Sequence, residues 1–91
     1  MEDNVAQFQK IAEQAFNESP NLYANGFING VGVSDGYVIF QTNGNSTLVV
    51  NMPLSMAKTL GTSLLEMVTQ YEKQTNQNIP TMEELGKLRG G

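Results

Sequence analysis

The stretch Leu54–Thr75, LSMAKTLGTSLLEMVTQYEKQT, predicts one amphipathic α-helix. Its apolar residues recur at spacings of three and four, which places them along one stripe of a helix. The stripe consists of Ala57, Leu60, Gly61, Leu64, Met67, Val68 and Tyr71. A stripe of this kind needs an apolar surface to pack against, and we expect the segment before it to supply a β-sheet.

Two dipeptides that favour tight turns interrupt the apolar segment before this helix. Asp35-Gly36 and Asn43-Gly44 tolerate positive φ and are typical of two-residue hairpins. They divide the segment into three predicted strands, at 22–33, 37–42 and 46–52. The predicted fold class is therefore α+β, a three-stranded antiparallel meander packed against one long helix at 54–75.

Two further helices are predicted at the ends of the chain. Residues 4–17 carry an apolar side, with Asn4 and Gln7 in capping-box positions, and this helix stops before Pro20. It either docks on the sheet of its own chain or forms an arm that reaches a second subunit. Thr81 and Glu84 form a second capping box, which predicts a short helix at 81–88.

The composition predicts a single domain, 1–91, without the usual chemistry of an enzyme. The chain has 91 residues and contains no cysteine and no histidine. Disulfides and thiolate metal sites are excluded, and the commonest metal ligand and neutral-pH acid or base is missing. We therefore expect no enzyme, no cofactor, no metal site and no catalytic residue.

Charge and hydropathy disfavour nucleic acid and membrane partners. Nine acidic and five basic residues give a net charge of −4, which opposes binding to a polyanion. Apolar runs are far shorter than the roughly 20 residues of a membrane span. The first ten residues, MEDNVAQFQK, are polar and acidic, unlike a signal peptide. The sequence therefore predicts a cytoplasmic protein.

The carboxylates do not form a convincing acid–base pair. Glu83 and Glu84 lie in the first turn of a predicted helix, where negative charge is favoured by the helix dipole. Glu66 and Glu72 are six residues apart and lie on different faces of their helix, and Asp35 belongs to a turn. We expect all of them to be structural.

Glycines mark the first strand and the last two positions. Gly26, Gly30 and Gly32 leave one face of the first strand nearly bare, which predicts a bulge or the close approach of another backbone or helix. A dinucleotide-binding loop is disfavoured because Asp35 stands where its third glycine is required. The final Gly90-Gly91 is interpreted as a frayed terminus.

An ordered set of short motifs between Tyr23 and about Ile79 resembles the family called domain of unknown function 3467, found in bacteria and archaea. The motifs are Tyr23-Ala24-Asn25, Tyr37-Val38-Ile39-Phe40, Val49-Val50, Ala57-Lys58, Leu60, Leu64 and Tyr71-Glu72. The chain differs at the helix start, which reads Met52-Pro53-Leu54-Ser55, and in lacking an acidic residue in the second strand. The resemblance implies this architecture and no catalytic residue, since the family is uncharacterised.

The functional hypothesis depends on the sheet having more apolar surface than the helices of one chain are expected to bury. The second strand is apolar on both faces, and one long helix can cover only one of them. We therefore expect a homo-oligomeric protein-binding or adaptor module, whose partner is a second copy in a homodimer or higher assembly, or else another protein. Its interface, or alternatively a ligand groove, is predicted at Phe27, Val31, Tyr37, Ile39 and Val49. A chaperone-like carrier of unfolded clients is the alternative.

Overall fold

The computed structural model describes residues 2–88, which form three helices and three strands. In chain order these are α1 (Glu2–Glu18), β1 (Gly26–Val31), β2 (Gly36–Thr42), β3 (Asn45–Met52), α2 (Leu54–Thr75) and α3 (Met82–Leu88). The strands form one antiparallel sheet in the order β1-β2-β3. The predicted α+β meander is confirmed, whereas the predicted role of Gly90-Gly91 lies outside the described residues.

The chain divides into two units. Unit 1 contains α1, the chain as far as Asn29, and Val38–Val49. Unit 2 contains Gly30–Tyr37 and the chain from Val50 onward, including α2 and α3. The three strands therefore contribute residues to both units.

The hairpin between β2 and β3 lies in unit 1 and forms as the sequence predicts. Asn43 and Gly44 have φ values of 53° and 85°, the left-handed conformation of a two-residue turn. The side chain of Asn25 holds this turn, because its Nδ2 donates to Asn43 Oδ1 and its Oδ1 accepts from the Asn43 N–H, both at 2.9 Å. The turn is thereby fixed to the chain that precedes β1.

The connection between β1 and β2, in unit 2, differs from the prediction. The loop spans residues 32–35, with the Gly32 N–H donating to the Asp35 carbonyl at 2.7 Å, and Gly36 is already the first residue of β2. Gly36 is buried and is not among the residues with positive φ. The predicted Asp35-Gly36 turn is wrong: a Cβ at Gly36 would lie 3.3 Å from Leu54 Cδ2 of α2, so the glycine permits the approach of a helix.

β1 is shorter than the predicted strand at 22–33, because side-chain hydrogen bonds organise the residues before it. Asn21 Nδ2 donates to the carbonyls of Phe16 and Ser19 and closes the end of α1. The Tyr23 carbonyl accepts a hydrogen bond from the Thr42 hydroxyl. At the other end of α1 the helix begins at Glu2, so Asn4 lies inside its first turn and the predicted cap at Asn4 is wrong.

α2 has the predicted bounds, since it follows Pro53 and stops at a residue in the left-handed conformation. Asn76 has φ 54°, and the N–H groups of Asn76 and Gln77 both donate to the Glu72 carbonyl. No residue of α2 is fully buried, although Ala57 and Leu60 of its stripe are half-buried. Among the described residues, Met52 at the end of β3 is the one buried apolar side chain.

Two carboxylates accept hydrogen bonds from backbone N–H groups in the segment between α2 and α3. Glu72 Oε2 accepts from the Ile79 N–H at 2.7 Å. The predicted capping box is confirmed, because Thr81 N–H donates to Glu84 Oε1 at 3.0 Å and Glu84 N–H donates to Thr81 Oγ1 at 3.2 Å.

Candidate protein-binding surface

The apolar side of α1 is exposed. Phe8 and Phe16 leave 71% and 72% of their surface accessible, and Val5 and Ile11 are also exposed. If α1 docked on the sheet of its own chain, the side chains at these positions would be buried. The prediction that α1 docks in this way is therefore wrong. The apolar side of this helix is therefore free to contact another molecule.

A shallow groove of about 490 Å³ follows the same side of α1. Phe8, Ala12 and Phe16 supply its apolar lining, and polar residues supply its rim. They are Gln9, Glu13 and Asn17. The groove is open to solvent along one helix and suits an apolar side chain of a partner better than an enclosed small molecule.

In unit 1 the sheet presents apolar residues on both faces. A Cβ at Gly26 would lie 3.7 Å from Gln41 Cβ, and Thr47 Oγ1 donates to the Phe40 carbonyl at 3.2 Å, which fixes the residues that lie opposite one another. Because side chains alternate along a strand, this register separates two sets. The Phe27 face consists of Phe27, Val38, Phe40 and Val49, and the Ile39 face consists of Ile28, Ile39 and Leu48. None of these side chains is buried.

In unit 2 the ring of Tyr37 covers Gly30 of the neighbouring strand. A Cβ at Gly30 would lie 2.5 Å from Tyr37 Oη, so any larger residue at position 30 would require the ring to move. The close approach predicted for the glycine-lined strand is therefore present, but it comes from a tyrosine rather than from another backbone or helix. Val31, next to Gly30, points to the opposite face and is exposed.

The five predicted interface residues do not share one face of the sheet. Phe27 and Val49 lie on the Phe27 face of unit 1, whereas Ile39 lies on the opposite face. In unit 2, Val31 and Tyr37 likewise point to opposite faces. Phe27, Val31 and Val49 are exposed, and Tyr37 and Ile39 are half-buried. A role for all five residues in contacts would require partners on both faces.

The carboxylates proposed as structural make local contacts. Glu83 and Lys87 form an exposed ion pair at 3.9 Å within α3. Hydrogen bonds from the backbone and side chain of Thr81 hold the pKa of Glu84 below its usual range. Asp35 and Glu66 are exposed. Within residues 2–88, no group of three or more acidic, histidine or cysteine side chains is arranged to hold a metal ion.

Sequence reasoning missed the role of Gly36 and left the position of α1 open. The signal for Gly36 is its place between an apolar loop residue, Val33, and the uninterrupted apolar run that starts at Tyr37, where a strand can begin as readily as a turn. For α1, periodicity reveals an apolar side but not what covers it.

In the part of the chain that the structure describes, no helix is both long and apolar enough to cross a membrane. No family model, no curated protein and no solved structure matches the chain. The resemblance to domain of unknown function 3467 stays a prediction.

Proposed function

We propose that the chain is a non-enzymatic, homo-oligomeric protein-binding or adaptor module of the cytoplasm. The observation that carries the proposal is the exposure of apolar side chains in unit 1, on α1 and on both faces of the sheet. Full burial of one large apolar side chain contributes about 1.5–3 kcal/mol. Covering the exposed parts of Phe8, Phe16 and Phe27 in an assembly would therefore add about 3–6 kcal/mol to the stability of the fold.

The distribution of charge favours a second copy of the chain as the partner. Between Ser19 and Ala57 the only charged residue is Asp35, although the whole chain carries nine acidic and five basic residues. The exposed sheet therefore offers no charge to attract an oppositely charged protein. Two copies meeting through these strands bring no like charges together, and a twofold axis lets the same patch on each copy form both sides of the interface.

The absence of histidine and cysteine from the sequence supports a non-enzymatic role. The absence of cysteine also fits a reducing compartment, where disulfides are rare. An enzyme built from this chain would need substrate-supplied chemistry or a site shared between subunits.

The solution mass tests the proposal. Light scattering on a sizing column, repeated over a hundredfold range of concentration, is expected to give two or more chains per particle. A mass of one 9.9 kDa chain at every concentration would contradict it.

A chaperone-like carrier of unfolded clients is the second candidate, favoured by the same exposed phenylalanines. It differs in one measurable respect, because a carrier keeps its apolar surface open in the native state. Strong binding of an apolar fluorescent dye by the assembled protein would support the carrier, whereas a closed oligomer should bind little dye.

A further inference from the structure

The outer edge of β3 carries backbone groups that point away from the sheet. In unit 1 the Gln41 carbonyl accepts from the Asn25 N–H, so Gln41 bonds toward the β1 side and its neighbours Phe40 and Thr42 bond toward β3. The two-residue turn at Asn43-Gly44 makes Thr42 and Asn45 its closing pair. Asn45, Thr47 and Val49 therefore bond inward, and the N–H and C=O groups of Ser46 and Leu48 point outward.

These outward groups have no partner within residues 2–88. The backbone hydrogen bonds found outside the helices and the sheet involve no residue of β3. β3 is also the last strand in the order β1-β2-β3. An unpaired strand edge of this kind is a template for another strand.

The side chains of β3 do nothing to prevent such pairing. Edge strands are usually protected by lysine, proline, a bulge or an inward-pointing charge. β3 reads NSTLVVNM, with no charge, no glycine and no proline. β1 at the other edge is shorter and contains Gly26 and Gly30, which weaken a strand. Of the two edges, β3 is the better template.

We infer that β3 of one chain pairs antiparallel with β3 of a second copy across a twofold axis, through the edge at Asn45–Val49 in unit 1. The inference rests on the proposed homo-oligomer and names one contact within it, at the edge of the sheet. A twofold axis requires the two β3 strands to run antiparallel, and it closes the assembly at two chains. Pairing of β1 with β3 of the next copy would instead be head-to-tail, which gives a ring or an open filament rather than a closed pair.

A proline at position 46 tests whether the β3 edge pairs with a second copy. It removes the outward N–H of Ser46 and leaves the hydrogen bonds between β3 and β2 in place. We expect Ser46→Pro to shift the mass from two chains to one, with its far-UV circular dichroism retained. Ser46→Ala keeps the N–H and is expected to remain a dimer. A folded Ser46→Pro protein that is still a dimer would overturn the inference but leave the homo-oligomer intact.

Single cysteines give a second test that does not depend on the proline variant folding. The chain contains no cysteine, so each introduced one reports on a single position. Ser46→Cys, Thr47→Cys and Leu48→Cys are made separately, with Asn29→Cys on β1 as the control. Under mild oxidation we expect a disulfide-linked dimer from at least one β3 position and none from Asn29→Cys.

The outcomes separate the inference from the function on which it rests. A dimeric wild type in which no β3 cysteine crosslinks, or in which Asn29→Cys crosslinks instead, would overturn the β3 contact alone. A monomeric wild type would overturn both the homo-oligomer and the contact.

Discussion

Two glycines of unit 2, one crowded and one open to space, allow a matched pair of alanine substitutions. A Cβ at Gly36 would lie 3.3 Å from Leu54 Cδ2, whereas a Cβ at Gly61 in α2 would meet nothing within 4 Å. We expect Gly36→Ala to lower the free energy of unfolding by about 1 kcal/mol through overpacking. Gly61→Ala should raise it by up to about 1 kcal/mol through helix propensity.

Chemical denaturation of both variants measures these changes. Adding Leu54→Ala to Gly36→Ala removes the atom that crowds the new methyl group, so the cost of Gly36→Ala should shrink in that background. An unchanged cost would mean that Leu54 is not the neighbour that restricts Gly36.

Glycine in a strand indicates a close approach, but the sequence does not identify the neighbour. Gly30 was expected to face a backbone or a helix, and it faces the ring of Tyr37. Gly36 was assigned to a turn and lies in a strand beneath α2. The neighbour of each glycine lies several residues or more further along the chain, Tyr37 for Gly30 and Leu54 for Gly36. Local sequence patterns do not show which distant residue will pack against a glycine.

At the scale of the elements, the exposed side of α1 leads to a test of whether this helix takes part in assembly. Phe8→Glu places a charge in the middle of its apolar side, and Gln14→Glu adds the same charge on the polar side. Loss of one buried phenylalanine costs about 1.5–3 kcal/mol, which weakens association about tenfold or more. Sedimentation at several concentrations measures the change.

Gln14→Glu should associate as the wild type does. Equal association of both variants would exclude the apolar side of α1 from the contact and leave the sheet as the site of assembly.

The bounds of the elements were predictable where the backbone itself carries the signal. α2 lies between Pro53 and Asn76, and the β2–β3 hairpin turns at Asn43-Gly44, because these residue types favour the required φ values. The start of β1 was not predictable, since side-chain hydrogen bonds of Asn21 and Asn25 hold the residues that precede it. Alternating apolar residues reveal a possible strand but not a competing side-chain contact.

At the scale of the whole molecule, the presence of apolar residues on both faces of the sheet was predictable, and the face to which each residue belongs was not. The apolar residues of β2 at 37–40 already indicated that both faces of the sheet require cover. The proposed patch ignored the register between strands, which places Ile39 on the face opposite to Phe27. Alternation along the sequence shows which residues of one strand lie on the same face. Which residues of two different strands lie on the same face also depends on the register between the strands.

Sparse burial within one chain predicts that folding and assembly are coupled. Since Met52 is the one buried apolar side chain of the described residues, much of the stabilising burial is expected to come from the second copy. The midpoint of thermal unfolding should then rise with protein concentration. Scanning calorimetry at concentrations that differ a hundredfold checks this, and a constant midpoint would indicate that each chain folds alone.

The uncharged strands also predict how the proposed oligomer responds to ionic strength. Each chain has a net charge of −4, and its strands contain no charged residue. Dissolved salt therefore screens a repulsion between copies and has no ion pair between the strands to weaken. Association of the proposed oligomer through the sheet should therefore tighten as salt is added, and the oligomer should dissociate more readily in a buffer of low ionic strength than at physiological ionic strength.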